Sequence, residues 1–135
     1  MAPTLTVTFR AVPQLDAIGI VSSDLGRTRA FYRLLDIEFA EGDDHVEATM
    51  PNGLRLMVDT EEVIRSFRPE WTRAAGNQLA LAFACGSPAA VDELYARVVD
   101  AGFDGEKEPW DAFWGYRYAQ LSDPDGVPVD LFAAL

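Results

Sequence analysis

The stretch DAIGIVSSDLGRTRAFYRLL, residues 16–35, changes its periodicity halfway along. DAIGIV is an apolar run of strand length, and after it Leu25, Thr28, Tyr32 and Leu35 recur at helical spacing. Ser23 or Asp24 stands where such a helix needs an oxygen to accept from its first free N–H groups. The same order returns in QLALAFACGSPAAVDELYARVVDAG, residues 78–102. There QLALAFA is the strand, and the helix carries Val91, Leu94, Tyr95 and Val98 on one face. Ser87 caps it, Pro88 fits its first turn and Gly102 ends it. The two helices superimpose at a constant offset, Asp24 on Ser87 and Tyr32 on Tyr95, which reads as a duplication.

Outward from these two units the chain alternates like sheet. IEFAE, HVEATM and LRLMVD follow the first helix; YRYAQL and VPVDLF follow the second, with one further strand expected around residues 103–107. PNG and DPDG mark the turns of the last pairs. TEEVIRSF between the halves reads as a short helix capped by Thr60, its two glutamates favourable to the helix dipole. The fold class expected is therefore α+β. Two tandem βαβββ units, at about residues 15–60 and 77–135, form one domain with a curved, barrel-like sheet around a central cavity and helices outside. Residues 1–14 are expected to be a tail or a short strand, LTVTFR, that crosses to a partner chain.

Composition narrows the function. A chain of 135 residues buries roughly 68–70% of its unfolded surface, enough for one core without disulfide or metal. Twenty-two acids against eleven bases give a net charge of −11. That field repels phosphate, so nucleic acid is not an expected partner. No apolar run reaches the ~18 residues of a membrane span and no apolar signal core opens the chain, so a cytoplasmic protein without membrane contact is expected. Cys85 is alone and reads as a buried strand thiol.

At this point DAIGIVSSDLGRTRAFYRLL and WGYRYAQLSDPDGVPVDLF, in that order and spacing, resemble the vicinal oxygen chelate superfamily of glyoxalases, dioxygenases and bleomycin resistance proteins. LRLMVDTEEVIRSFRPEW followed by EPWDAFWGYRYA and DPDG is similar to the mitomycin-binding type of antibiotic resistance protein. The resemblance implies a homodimer that encloses a planar drug between aromatic side chains, with no chemistry and no cofactor. It also implies where metal-dependent members hold their ligands. Those positions are Ala17, Arg55 or Met57, Gln78 and Asp130, of which only Asp130 keeps a carboxylate. A transition metal needs several imidazole, thiolate or carboxylate donors converging at about 2.0–2.3 Å, so no metal is expected. A carboxylate site from Glu47, Asp59 and Asp130 is the alternative, and with it a lyase, isomerase or glyoxalase-like enzyme.

If Ala17 and Gln78 mark inward positions, alternation turns Gly19, Val21, Ala80 and Ala82 inward and leaves room between the sheets. Ile18, Ile20, Leu54, Leu56, Val58, Leu79, Leu81 and Phe83 then pack under the helices. Arg55, Met57 and Asp59 face the cavity, Arg55 stacking on a ring or pairing with Asp59. Tyr116, Tyr118 and Gln120 face it too, and the loop PWDAFWG adds Trp110, Phe113 and Trp114 at its rim. Phe39 is the remaining candidate. Asp36, after the first helix, is read as a structural residue in left-handed conformation.

Overall fold

The computed structural model describes residues 12–135; the LTVTFR stretch lies outside them. The element order is β1 (Ala17–Ser22), α1 (Leu25–Arg33), β2 (His45–Thr49), β3 (Arg55–Thr60), α2 (Glu61–Phe67), β4 (Leu81–Ala84), α3 (Pro88–Asp100), β5 (Asp104–Asp111), β6 (Tyr116–Ser122) and β7 (Pro128–Ala134). The helix signals act as read. Asp24, Thr60 and Ser87 cap α1, α2 and α3, each accepting from the N–H three residues on. Asp36 takes φ 61°, the left-handed conformation that ends the turn after α1.

The strands form two sheets, ordered β1-β3-β2 and β4-β7-β6-β5. In each, the strand preceding the helix pairs parallel with the last strand of its half, as Ile18 with Leu56 and Leu81 with Val129. The repeat is thus visible in topology, with one strand missing. IEFAE, expected as a strand, has no regular ladder: it lies beside β2 through one backbone bond, Ala40 N–H to the Glu47 carbonyl at 2.9 Å. Ile37 and Phe39 are buried, so its side chains still alternate. Its carbonyls, however, are taken by the Arg29 guanidinium, which donates to Phe39 at 3.2 Å, Ala40 at 2.9 Å and Gly42 at 3.1 Å. A side chain on α1 replaces the ladder that a neighbouring strand would supply.

One core serves both halves. Phe31, Tyr32, Val46, Val58, Val91, Val98, Leu121 and Leu131 are fully or almost fully buried and belong to one cluster. Phe31 meets Phe103 edge-to-face at 5.3 Å, joining α1 to the start of β5. The DPDG turn adds polar ties. Tyr32 Oη donates to Asp123 Oδ2 at 2.9 Å, and the other Asp123 oxygen accepts from Asp125 N and Val127 N at 2.8 and 2.9 Å. Asp125 in turn accepts from Ser23 N at 3.2 Å. Every buried side-chain nitrogen or oxygen among the described residues has such a partner.

Each sheet therefore packs one face on this core and leaves the other open. Leu56, Val58, Leu81, Ala119, Leu121 and Leu131 lie on the packed faces, as alternation requires. Leu79 does not: it precedes β4 and is exposed, because the strand begins three residues later than Gln78. Among the described residues no strand of one sheet pairs with a strand of the other.

Candidate functional site

The open face of the first sheet is a line of charge. His45 stands directly across from Asp59 in the β2–β3 ladder and Glu47 across from Met57. His45 donates from Nδ1 toward Asp59 at 2.6 Å and from Nε2 toward Glu47 at 2.7 Å. Arg55 reaches Asp16 at 2.8 Å and also bonds Glu47. The expected Arg55–Asp59 pair does not form, since four residues along one strand separate the two by about 13 Å. Hydrogen bonds first to Glu47 and then to Asp59 raise the His45 pKa, and the same bond to His45 leads the lowering at Glu47. Met57 lies among these groups, over Gly19, where a Cβ would sit 3.8 Å from the Met57 methyl.

The open face of the second sheet is aromatic. Trp110 and Tyr118 are opposite one another in the β5–β6 ladder, and Tyr118 is opposite Phe132 in the β6–β7 ladder. Trp110, Trp114 and Tyr118 form a triad of nearly perpendicular rings with centroids 5.4–6.1 Å apart. Phe113 adds an edge to Trp114 at 4.9 Å, and Phe132 lies stacked beside Tyr118 at 6.4 Å and 23°. Tyr116 meets Phe132 edge-to-face at 5.8 Å. Below the rings Tyr118 Oη donates to Asp130 Oδ2 at 2.5 Å, and Gln120 Nε2 to Oδ1 at 3.5 Å. Burial, followed by that carboxylate, pushes the Tyr118 phenol up to about 12. The outer rings are open: Phe113 is 97% and Trp114 46% exposed.

A cavity of about 450 Å³ opens where the sheets approach, lined by Ile18, Leu54 and Leu56 from one half and Ala80, Ala82, Ala84 and Phe132 from the other, with Arg55 at its edge. Leu81 and Phe83 line it beside the alanines, so residues expected to pack under the helices, Ile18, Leu54 and Leu56 among them, border this space as well. A second cavity, of about 880 Å³, lies under the linker between the halves and is bordered by Gly19, Val21, Trp71 and Gln78.

The residues singled out from sequence thus separate into groups. Trp110, Phe113, Trp114, Tyr116 and Tyr118 come together on one face. Trp110 belongs to β5 rather than to a loop, because β5 runs on to Asp111. Arg55, Met57 and Asp59 line the other sheet. Gln78 is exposed in the linker, outside any strand, and borders the larger cavity, away from both faces. Phe39 is not a pocket residue: it is buried edge-on against Tyr32 at 5.8 Å, drawn in by the alternation that also buries Ile37. Phe132 joins the aromatic face without having been singled out, although VPVDLF places it two residues after Asp130 and hence on the same side of the strand.

These side chains do not fit a metal. Ala17 has no donor, and across the ladder from it Arg55 brings a cation. Asp130 stands on the second sheet with Tyr118 and Gln120, while Glu47 and Asp59 are held by His45 and Arg55 on the first. Among the described residues no three His, Cys, Asp or Glu side chains are grouped to hold an ion. Nor is any helix of those residues long and apolar enough to cross a membrane.

Two repeated halves, a βαββ and a βαβββ unit, each a sheet backed by helix on one face and open on the other, define a protein of paired half-domains. The chain belongs to the Glyoxalase/Bleomycin resistance protein/Dioxygenase superfamily, whose sequence profile matches residues 14–131. Its structure is similar to that of a glyoxalase/bleomycin resistance protein/dioxygenase family enzyme from Burkholderia phytofirmans, with TM-score 0.82 and 18% identity over 91% of this chain and 100% of that one. It is similar to a glyoxalase-related enzyme from Fulvimarina pelagi, with TM-score 0.80 and 19% identity over 90% and 88% of the two chains. A lactoylglutathione lyase from Agrobacterium tumefaciens matches with TM-score 0.67 and 18% identity over 92% and 96%. Among curated proteins none matches. At these identities the likeness is one of fold.

Proposed function

We propose that this chain binds and sequesters a planar, aromatic natural product, a quinone, an enediyne or a bleomycin-like antibiotic, inside the cell and so protects it, without a metal and without chemistry on the ligand. The observation that carries this reading is the ring cluster on the open face of β5–β6–β7. Three perpendicular rings present both faces and edges to an entering plane, and each added ring pair contributes about 0.5–1.5 kcal/mol beyond area burial. An ordinary core would cover such rings; here Phe113 and Trp114 are left open. The same open end is where a second copy of the chain would dock, completing the enclosure as a homodimer.

A tryptophan-fluorescence titration of chelator-treated protein with mitomycin-type quinones, anthraquinone enediynes and bleomycin tests this. Saturable quenching near one ligand per chain, lost in Trp110→Ala or Trp114→Ala, is the expected result. Silence across the panel, with binding restored by manganese or magnesium, returns the chain to the metal-dependent enzymes of its family. Asp130→Asn then becomes the decisive substitution, abolishing turnover where a stacking site hardly responds.

A further inference from the structure

Lys107 is the only lysine in the chain, and its Nζ lies 3.9 Å from the centroid of the Trp110 ring. Strand alternation alone forbids this contact, since residues three apart point to opposite faces. The β5–β6 ladder shows how it arises. Lys107 is opposite Gln120 and Trp110 is opposite Tyr118, so three steps on β5 match two on β6. One extra residue is inserted, a bulge that contains Pro109, which has no N–H to leave unpaired. The bulge inverts the parity of the strand and puts the ammonium on the same face as the rings. Lys107 forms no ion pair among the described residues, although Glu106 and Glu108 flank it in sequence. The one lysine of a strongly acidic chain is thus aimed at an aromatic face, the geometry in which a cation is attracted by the ring quadrupole.

Building on the binding reading above, we infer that the Trp110 face is a subsite for an organic cation, which Lys107 fills in the free protein and which a protonated amine on the ligand takes over by displacing it. Lys107 is then a specificity-determining residue. A ligand with a cationic group recovers the ring–cation contact that it displaces, whereas a neutral ligand of the same shape does not. The net charge of −11 draws the same class of ligand toward the site.

Two dyes of nearly equal shape separate the possibilities: 9-aminoacridine, cationic at pH 8, and acridine, neutral there. Lys107→Met, which has no ammonium to displace, is expected to bind both dyes about three-fold more tightly than the unaltered chain, the size of one exposed cation–ring contact, with 9-aminoacridine held more tightly than acridine by either chain. Reductive dimethylation keeps the charge of Lys107 and gives it an NMR-visible methyl group. That resonance is expected to start shifted by the Trp110 ring current and to return to its free position as 9-aminoacridine saturates. A gain for neither dye, equal affinity for the two dyes, or a resonance that stays in place at saturation overturns the inference and leaves the binding reading standing. Failure of both dyes to bind also overturns it, and the drug panel then judges the binding reading by itself.

Discussion

The hydroxyl of Tyr32 is buried in the core and donates to a carboxylate, Asp123, that is itself 3% exposed. Burial raises the Asp123 pKa, while bonds from Val127 N and Tyr32 Oη act against the rise. Tyr32→Phe keeps the ring and removes one donor from a buried anion, a loss of about 1.5–3 kcal/mol. Urea unfolding at neutral pH is expected to show it. Without this donor the Asp123 pKa rises further. The cost is therefore full where the carboxylate is ionised and shrinks as acid protonates it, which a repeat of the unfolding series toward pH 4 would show. Equal cost at both ends would mean that the hydroxyl is only filling space.

On the scale of elements, the β2–β3 pair carries a contact that titrates near neutral pH. The His45 pKa is raised in the folded state, so its ion pairs add stability that is fully present below about pH 6.5 and is lost as pH climbs through the raised value. Glu47, held low, is ionised throughout that window. The unfolding midpoint is expected to fall from pH 6 to pH 9 in the unaltered chain and to fall less in His45→Gln; the difference isolates the histidine from every other titrating group. Identical slopes would place the pair in the class of surface contacts that contribute nothing measurable.

Elements also show what the sequence makes legible. Caps, helices and the packed faces of the strands follow local rules, so β1, α1, α3, β6 and β7 were readable from period and capping residues. Two features depend on groups distant in sequence and were not. One is the loss of the strand at 37–41, caused by Arg29 from α1. The other is the bulged course of β5, whose register slips between Gly105 and Lys107 and again between Lys107 and Trp110, so strict alternation fails across it. Gly105 belongs to this second group. A Cβ there would meet Tyr95 Oη and lie 2.8 Å from Tyr95 Cζ and 3.0 Å from Val99 Cγ2, so any side chain there must displace the Tyr95 ring from its place between α3 and β5. Gly105→Ala is expected to destabilise by about 1–3 kcal/mol in thermal unfolding, as overpacking does. The ring cluster was found from the density of aromatics in PWDAFWGYRY, whereas the assignment of Phe39 failed because a sequence without register does not say which side of its segment meets the core.

For the whole molecule, the consequence lies at the open end of the second sheet. Leu135 donates its N–H to the Gly115 carbonyl at 3.1 Å, so the residue after β7 lies along the hairpin turn that carries Phe113 and Trp114. Phe113, Trp114 and Leu135 are all exposed there, a group of apolar side chains at one end of the sheet. If a second copy covers it, association must bring two chains of net charge −11 together, and repulsion opposes it. Screening relieves that repulsion, since the Debye length shrinks from about 10 Å at 0.1 M salt to about 3 Å at 1 M. Sedimentation equilibrium is therefore expected to give a dimer whose dissociation constant falls as salt rises, and Phe113→Asp is expected to leave a folded monomer. An unaltered chain that remains monomeric at every salt concentration would assign the exposed rings to the ligand alone. Binding would then leave Phe113 and Leu135 uncovered, and the affinity for any planar drug would have to come from Trp110, Trp114, Tyr118 and Phe132 within a single chain.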